Sequence, residues 1–233
     1  PRPLGVLQGL RTWLAETGTS IVTFDWRQAW RADAAADLLM SEPRRGVVFV
    51  HGYFCNRGLW RPHMARLRAA GVPHVAVTLE PAFGSITAYG QQVHAAVELL
   101  RRATGQRPLL VCHSMGGLAA RAYLAQCGAS AMHGVIAIGT PHHGAAFAAL
   151  GSGRNAAQMR TGSDWLRDNA AALGAQGRAR FINFYSNGDN IVSPYDSAML
   201  DGADNRFVPA CGHMRLIFTP AVWQAIWAQL QAD

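Results

Sequence analysis

Short runs of apolar residues alternate with helical patterns along the chain from about residue 45 onward. Six of these runs have the length of buried strands and end at turn-forming residues; they are GVVFVHG, HVAVTLEP, PLLVCHS, GVIAIGTP, ARFINFYSNGD and NRFVPACGH. Strands that alternate with helices are typical of a parallel sheet with helices on both faces. The pattern therefore predicts an α/β fold with a mainly parallel central sheet of about six strands.

Two segments carry apolar positions at helical spacing: the first lies between the second and third runs, and the second follows the last run. Near the end of the chain, Thr219 and Pro220 supply an N-cap and a first-turn proline for a predicted final helix. The apolar positions of the two segments are Ile86, Tyr89, Val93, Val97 and Leu100 in the first, and Val222, Trp223, Ile226 and Leu230 in the second. Such stripes predict helices that each pack one face on the core.

Two further segments fall outside the alternation. Residues 1–44 carry Trp13, Trp26 and Trp30 in a helical context, and we expect a helical extension packed on the core of a domain that spans residues 45–233. Residues 145–177 form a Gly- and Ala-rich insert between two predicted strands. We expect this insert to be a small helical cap.

Composition and charge limit the classes of protein that need be considered. With 233 residues and 50% hydrophobic content, the chain can bury one sizeable core. The net charge of +7 comes from basic residues that are all arginine and are scattered rather than clustered. Scattered charge favours a solvated basic surface, so we expect no nucleic-acid partner. Peripheral attraction to anionic membranes stays open, and the sequence does not indicate the oligomeric state.

The four cysteines, Cys55, Cys112, Cys127 and Cys211, lack the close pairing of a zinc site and the density of a disulfide scaffold. We expect free thiols, with one disulfide left open. No run approaches the roughly 18 apolar residues of a membrane span, and no signal peptide is visible. Because the chain begins at Pro1, we expect that something upstream was processed or left out. Cytoplasmic, membrane-associated and secreted locations all stay open.

The stretch VCHSMGGLAARAYL places Ser114 between a predicted strand and a predicted helix. This is the context of a GxSxG nucleophile elbow, in which small residues permit a tight turn that exposes the serine Oγ above the sheet. Gly116 and Gly117 supply small residues after the serine, whereas Cys112 occupies the position of the first glycine. The alternative is a serine that only caps a helix, which the HSMGG context does not favour.

A serine nucleophile needs a general base, and the base needs an orienting carboxylate. In proteins built around such an elbow the chain order is serine, acid, histidine. Asp189 lies in a turn just after a predicted strand, and His213 follows the last predicted strand. Other carboxylates nearby do not directly follow a strand; they are Asp196, Asp201 and Asp204.

Acyl transfer also needs hydrogen-bond donors for the developing oxyanion, usually backbone N–H groups. One candidate is the N–H of Met115, the residue after the serine. The other is the N–H of Tyr53, which follows the strand end His51-Gly52; the alternative for that dipeptide is an ordinary turn. The adjacent His142 and His143 lack a third ligand at a suitable spacing, so no metal site is predicted.

Five motifs taken together, FVHGY, CHSMGG, GTPHHG, FYSNGDNIVSP and GHMRLI, resemble the α/β-hydrolase superfamily and, most closely, small bacterial lipases and esterases. The resemblance covers about residues 47–231. It implies an α/β-hydrolase fold and a triad of Ser114, Asp189 and His213, with Tyr53 and Met115 as oxyanion donors and no cofactor. The departures are Cys112, the unmatched first 44 residues and the lack of a recognisable calcium-ligand cluster.

The predicted function is that of a serine carboxylic-ester hydrolase that cleaves short- to medium-chain acyl esters or lipids through an acyl-enzyme. We expect the insert to supply one apolar wall of the substrate cleft through Met159, Trp165 and Leu166, with Phe54 on the opposite side. A thioesterase or acyltransferase with the same triad stays open as an alternative, as does a non-catalytic binding module of this fold.

Overall fold

A six-stranded parallel sheet forms the centre of the computed structural model, which describes residues 4–232. All five strand pairings are parallel, and the strand order is β2-β1-β3-β4-β5-β6. The strands are β1 (Val47–Val50), β2 (His74–Val77), β3 (Leu109–His113), β4 (Gly134–Ile138), β5 (Phe181–Tyr185) and β6 (Asp204–Phe207). Each strand overlaps one of the six apolar runs, so the predicted fold class is confirmed; the exception to the predicted burial is β6, which lies at the sheet edge and is mostly exposed.

Helices lie on both faces of this sheet. Within residues 4–232 the α-helices are α1 (Val6–Ile21), α2 (Arg61–Ala69), α3 (Ile86–Thr104), α4 (Met115–Cys127), α5 (Gly153–Met159), α6 (Asp164–Arg178), α7 (His213–Leu216) and α8 (Pro220–Gln231). A π-helical segment, Val22–Gln28, follows α1, and 3₁₀ turns occupy Arg57–Trp60, Ala146–Ala149 and Tyr195–Ala198. No helix among the described residues is both long and apolar enough to cross a membrane.

The central strands bury both of their faces. In β1, Val48 packs in the cluster that contains α3 and α4, whereas Phe49 packs in the cluster that contains α2 and α8. Every residue of β1, β3 and β4 is buried. A strand covered on both sides has no polar alternation, which is why these strands are continuous apolar runs in the sequence.

The N-terminal extension contacts the domain through polar side chains. Thr12 and Glu16 are the buried residues of α1, and the Thr12 hydroxyl donates to the carbonyl of Ala210 at 3.0 Å. Further along, Leu38 pairs with His74 in an isolated antiparallel bridge at the edge of β2. The extension is thus tied both to the loop before α7 and to the sheet edge; residues 1–3 of the predicted extension, and Asp233 of the predicted domain, lie outside the described residues.

The predicted insert, residues 145–177, is divided between two environments. Leu166 and Leu173 of α6 are buried in the same apolar cluster as α4, so this helix belongs to the layer that covers the sheet. The part before it, which includes the 3₁₀ turn Ala146–Ala149 and α5, lies beside the carboxyl ends of the strands.

All four cysteines are free thiols.

Candidate active site

Ser114 lies in a strained turn between β3 and α4. Its backbone has φ 53° and ψ −125°, a conformation that costs of order 1–3 kcal/mol for a residue other than glycine. The Ser114 N–H donates to the carbonyl of Ile138 at 2.8 Å, which ties the turn to the end of β4. This is the geometry of a nucleophile elbow, and Ser114 is only 8% exposed.

Glycines around this turn permit a close approach of three chain segments. A Cβ at Gly116 would lie 2.5 Å from the carbonyl oxygen of Val50, and one at Gly117 would lie 2.1 Å from Oγ1 of Thr140. Neither position can hold a larger residue without moving the neighbouring loop. Cys112, at the first glycine position of the pattern, is fully buried in the cluster that contains α3 and α4, where burial raises the pKa of its thiol.

A histidine–carboxylate pair adjoins the cavity, in which His213 shares the lining with Ser114. Nδ1 of His213 lies 2.8 Å from Oδ2 of Asp189, and both side chains are almost fully buried. The other carboxylate oxygen of Asp189 accepts from the N–H groups of Ile191 and Val192 at 2.9 and 2.8 Å. The carboxylate is therefore fixed by three hydrogen bonds with one oxygen directed at the imidazole.

The loop after β5 also holds the loop that carries the histidine. Oγ of Ser186 accepts from the N–H of Gly188 and from the N–H of Cys211. Oδ1 of Asn190 accepts from the N–H of His213 at 3.3 Å. The motif YSNGDN therefore positions both members of the acid–base pair.

Two neighbouring carboxylates raise the pKa of His213. Burial lowers the pKa of His213, but the carboxylates of Asp189 and Glu16 outweigh burial and the net direction is upward. The ring of His113 lies 4.6 Å from that of His213, centroid to centroid. Burial and the charge of His213 hold the pKa of His113 well below its usual range, so this neighbour stays neutral.

The loop after β1 carries Tyr53, one of the two predicted oxyanion donors. Burial lowers the pKa of His51 to about 4, and Nε2 of this neutral ring accepts from the N–H of Leu79 while Nδ1 donates to the carbonyl of Gly52. The Tyr53 hydroxyl donates to the carbonyl of Ser152 at 2.8 Å. The loop is thus held at its base by a histidine and at its tip by the segment before α5.

The second predicted donor, Met115, is the first residue of α4. N–H groups in the first turn of a helix have no partner within the helix, which is the physical reason for expecting the N–H of Met115 to bind an oxyanion. Phe54 has φ 56°, which is a strained conformation for a bulky residue and is typical of functional loops.

A cavity of about 390 Å³ opens at this edge of the sheet. The predicted residues on its lining are Tyr53, Phe54, Ser114, Met159 and His213. Asp189 does not line the cavity but contacts Nδ1 of His213, which does.

Trp165 and Leu166, which we expected on the same wall, do not line this cavity. Nε1 of Trp165 donates to Oγ1 of Thr87 at 2.8 Å, and Leu166 is buried in the core. The physical reason is that α6 packs its apolar side on the layer of α4 rather than over the serine.

Several lining residues were not predicted. Glu16, Ser20 and Phe24 of the extension form one side of the cavity, and Phe147 and Leu150 lie on its rim. The two oxygens of Glu16 accept from the N–H groups of Met214 and Arg215 at 2.7 and 2.9 Å. These contacts link Glu16 to residues that lie 198 and 199 positions later in the chain, so no local pattern in the sequence indicates them.

Three other polar residues near the strand ends do not line this cavity: Asp196, His142 and His143. Asp196 lies in the turn Tyr195–Ala198 and lines a different surface depression. His142 is buried and its Nε2 lies 3.1 Å from Oδ1 of Asn183, whereas His143 is exposed. Residues 4–232 contain no group of three or more potential ligands that could hold a metal ion.

The family model described as "Alpha/beta hydrolase family" matches residues 47–230. The chain belongs to this family. No curated protein matched the sequence. The match covers every strand of the sheet and the loops that carry Ser114, Asp189 and His213, but it excludes α1 and the π-helical segment.

Solved structures with a similar fold include several lipases. A lipase from Bacillus licheniformis in its mature form is 17% identical, with a TM-score of 0.70 over 83% of this chain and 94% of that chain. Lipase B of Aspergillus fumigatus is 20% identical, with a TM-score of 0.72 over 88% of this chain and 58% of that chain. A monoacylglycerol lipase of Paleococcus ferrophilus is 15% identical, with a TM-score of 0.57 over 83% and 95%. At these identities the likeness establishes the fold.

Proposed function

We propose that the protein is a serine carboxylic-ester hydrolase that acts on short- to medium-chain acyl esters. The observation that carries the proposal is the convergence of a strained serine and a carboxylate-bound histidine on one apolar cavity. A serine that only caps a helix would need neither the strain nor the buried acid–base pair.

The chemistry follows from the roles that each group can take. Oγ of Ser114 attacks the ester carbonyl while Nε2 of His213 accepts the hydroxyl proton, and Asp189 stabilises the imidazolium that forms. The N–H groups of Tyr53 and Met115 bind the oxyanion of the tetrahedral intermediate. His213 then donates the proton to the departing alcohol, which leaves an acyl group on Ser114. Water, deprotonated by His213, releases the acid and restores the serine.

The size and lining of the cavity support the choice of acyl chain. Its volume of about 390 Å³ is near the low end of the roughly 300–1,000 Å³ that is usual for small-molecule sites. The lining is mostly apolar, with Ala148, Met159 and Val192 among its members. Each methylene that does not fit forgoes about 0.8 kcal/mol of burial, so rates should fall as the chain outgrows the cavity.

The test combines active-site labelling with a panel of p-nitrophenyl esters of graded chain length. We expect a fluorophosphonate to label the wild type at Ser114, and Ser114→Ala to lose about a thousandfold or more of the esterase rate. The exposed Ser41 provides the matched control, Ser41→Ala, which should be labelled and active like the wild type. Substantial esterase activity in Ser114→Ala would refute the proposal, and a maximum at long chains would refute the assigned substrate class.

A further inference from the structure

Helix α1 is packed with its polar side inward and its apolar side outward. The residues that it buries are Thr12 and Glu16, which are hydrogen-bonded to the loop before and within α7. We call its exposed large apolar residues the apolar stripe: Val6, Leu7, Leu10, Trp13, Leu14 and Ile21. Soluble proteins rarely expose a contiguous apolar patch of this kind without a binding role.

The apolar stripe begins on the side of α1 that faces the cavity. An α-helix turns about 100° per residue, so Ser20, on the cavity wall, lies about 40° around the helix axis from the buried Glu16. Trp13, Leu10 and Leu14 follow in the same direction at about 60°, 120° and 160°. The stripe therefore begins beside the cavity wall at Trp13 and continues around to the outward side of the helix, opposite its buried face.

Exposed apolar side chains continue around the cavity itself. We define the cavity rim as four residues that line the cavity and are exposed: Phe24, Phe54, Phe147 and Leu150. The ring of Phe54 packs edge-on against that of Phe83 at 5.3 Å, and Phe83 is itself exposed. The rim and the stripe thus come from three separate parts of the chain that meet at the entrance to the active site.

The extension also carries aromatic and cationic groups suited to a membrane interface. Trp13, Trp26 and Trp30 are all more than half exposed. The guanidinium of Arg31 lies 5.6 Å from the ring centroid of Trp26, and Arg11 is exposed on α1. Exposed tryptophans beside arginines are typical of helices that lie in the headgroup region of anionic lipid. The net charge of +7 is complementary to such a surface.

We propose that the apolar stripe and the cavity rim dock on an anionic lipid surface. A second copy of the chain seated on these residues would cover the cavity entrance, whereas a lipid surface covers them and supplies an acyl ester at the same place. The delivery of substrate rests on the proposed function. The docking itself depends only on the exposed residues and is tested without turnover.

The test is co-sedimentation with vesicles of equal parts phosphatidylcholine and phosphatidylglycerol, with the Ser114→Ala chain so that no lipid is consumed. We expect the further double change Leu10→Ser and Leu14→Ser to lower the partition coefficient by at least about tenfold, since each leucine loses its burial in lipid. The matched control is Leu99→Ser: Leu99, on α3, is 46% exposed, against 53% for Leu10 and 56% for Leu14. It should bind like the parent chain.

A second pair of changes tests the charge. Arg11→Gln with Arg31→Gln should weaken binding to anionic vesicles by about fivefold for each charge at low salt, and should have little effect on the weaker binding to pure phosphatidylcholine. Circular dichroism establishes that each variant is folded.

Equal binding by the stripe variant and the Leu99 control would overturn the proposal. A dimer in sedimentation velocity that the stripe variant abolishes, without vesicle binding, would overturn it in favour of a second copy. Vesicle binding by a wild type that fails to hydrolyse soluble esters would uphold the docking surface and reject the proposed function. Hydrolysis of soluble esters by a wild type that does not bind vesicles would reject the docking surface alone.

Discussion

Glu16 joins the extension to the segment that begins at His213. The change Glu16→Gln should lower the stability of the protein and alter the pKa of His213. Each carboxylate oxygen accepts one backbone N–H, from Met214 and from Arg215, and the side chain is 6% exposed. An amide keeps one acceptor oxygen and turns its NH₂ group toward the other N–H. One hydrogen bond to a charged group, worth about 1.5–3 kcal/mol, is lost and a buried donor is left unpaired. We expect a loss of about 2–3 kcal/mol in the free energy of unfolding.

The same change should alter the acid–base pair. The charge of Glu16 helps to raise the pKa of His213, after the larger contribution of Asp189. With a neutral side chain at position 16, the pKa of His213 falls, and the midpoint of the rise of kcat/KM with pH moves to lower pH. A change that only loosened α1 would lower stability without moving this midpoint.

Urea unfolding followed by tryptophan fluorescence measures the first effect, and the pH dependence of kcat/KM measures the second. Asp25→Asn is the matched control because Asp25 is an exposed carboxylate on the same segment; this variant should behave like the wild type in both assays. If Glu16→Gln were as stable as Asp25→Asn and shared its pH midpoint, the assigned role of Glu16 would be wrong.

Three further predictions follow from the same geometry. Asp189→Asn should cost about 10⁴-fold in kcat because the amide favours the wrong imidazole tautomer, and Asp196→Asn should cost little; kinetics that ranked them in the opposite order would contradict the choice of acid. If His213 is the general base, as proposed, it must be neutral to accept a proton, and because its pKa is raised, kcat/KM should rise with pH through a midpoint above about 6.5. Because the folded-state pKa is raised, protonated His213 stabilises the folded state. This stabilisation is fully present below the unfolded pKa of about 6.5 and is lost as pH rises through the folded pKa, so the wild type should lose stability over that range, whereas His213→Gln should not. Gly117→Ala should destabilise the protein by about 1–3 kcal/mol in thermal unfolding, since its Cβ would meet Thr140. Gly9→Ala, whose Cβ would meet no side chain or other segment within 4 Å, should not; equal stabilities would show that the loop at Thr140 moves aside at little cost.

The sheet and the elbow could be predicted because their signals are local. A strand covered on both faces is a continuous apolar run, as in β1 and β3, and the turn at Ser114 requires small residues within a few positions. The placement of Trp165 and Leu166 could not be predicted, because an apolar residue in an insert has the same pattern whether it faces the core or a cavity. The role of Glu16 could not be predicted either, because its partners are almost two hundred residues away.

The hydrogen bonds of Glu16 have a consequence for where the folded unit that contains the cavity begins. The family match starts at residue 47, and a fragment cut there would keep every strand of the sheet. It would also lose one wall of the cavity and leave the N–H groups of Met214 and Arg215 without their acceptors, immediately after His213. In this protein the segment that matches the family model is smaller than the segment that lines the cavity, which includes Glu16, Ser20 and Phe24. Expression boundaries, domain grafts and comparisons among relatives should therefore be drawn from α1 onward.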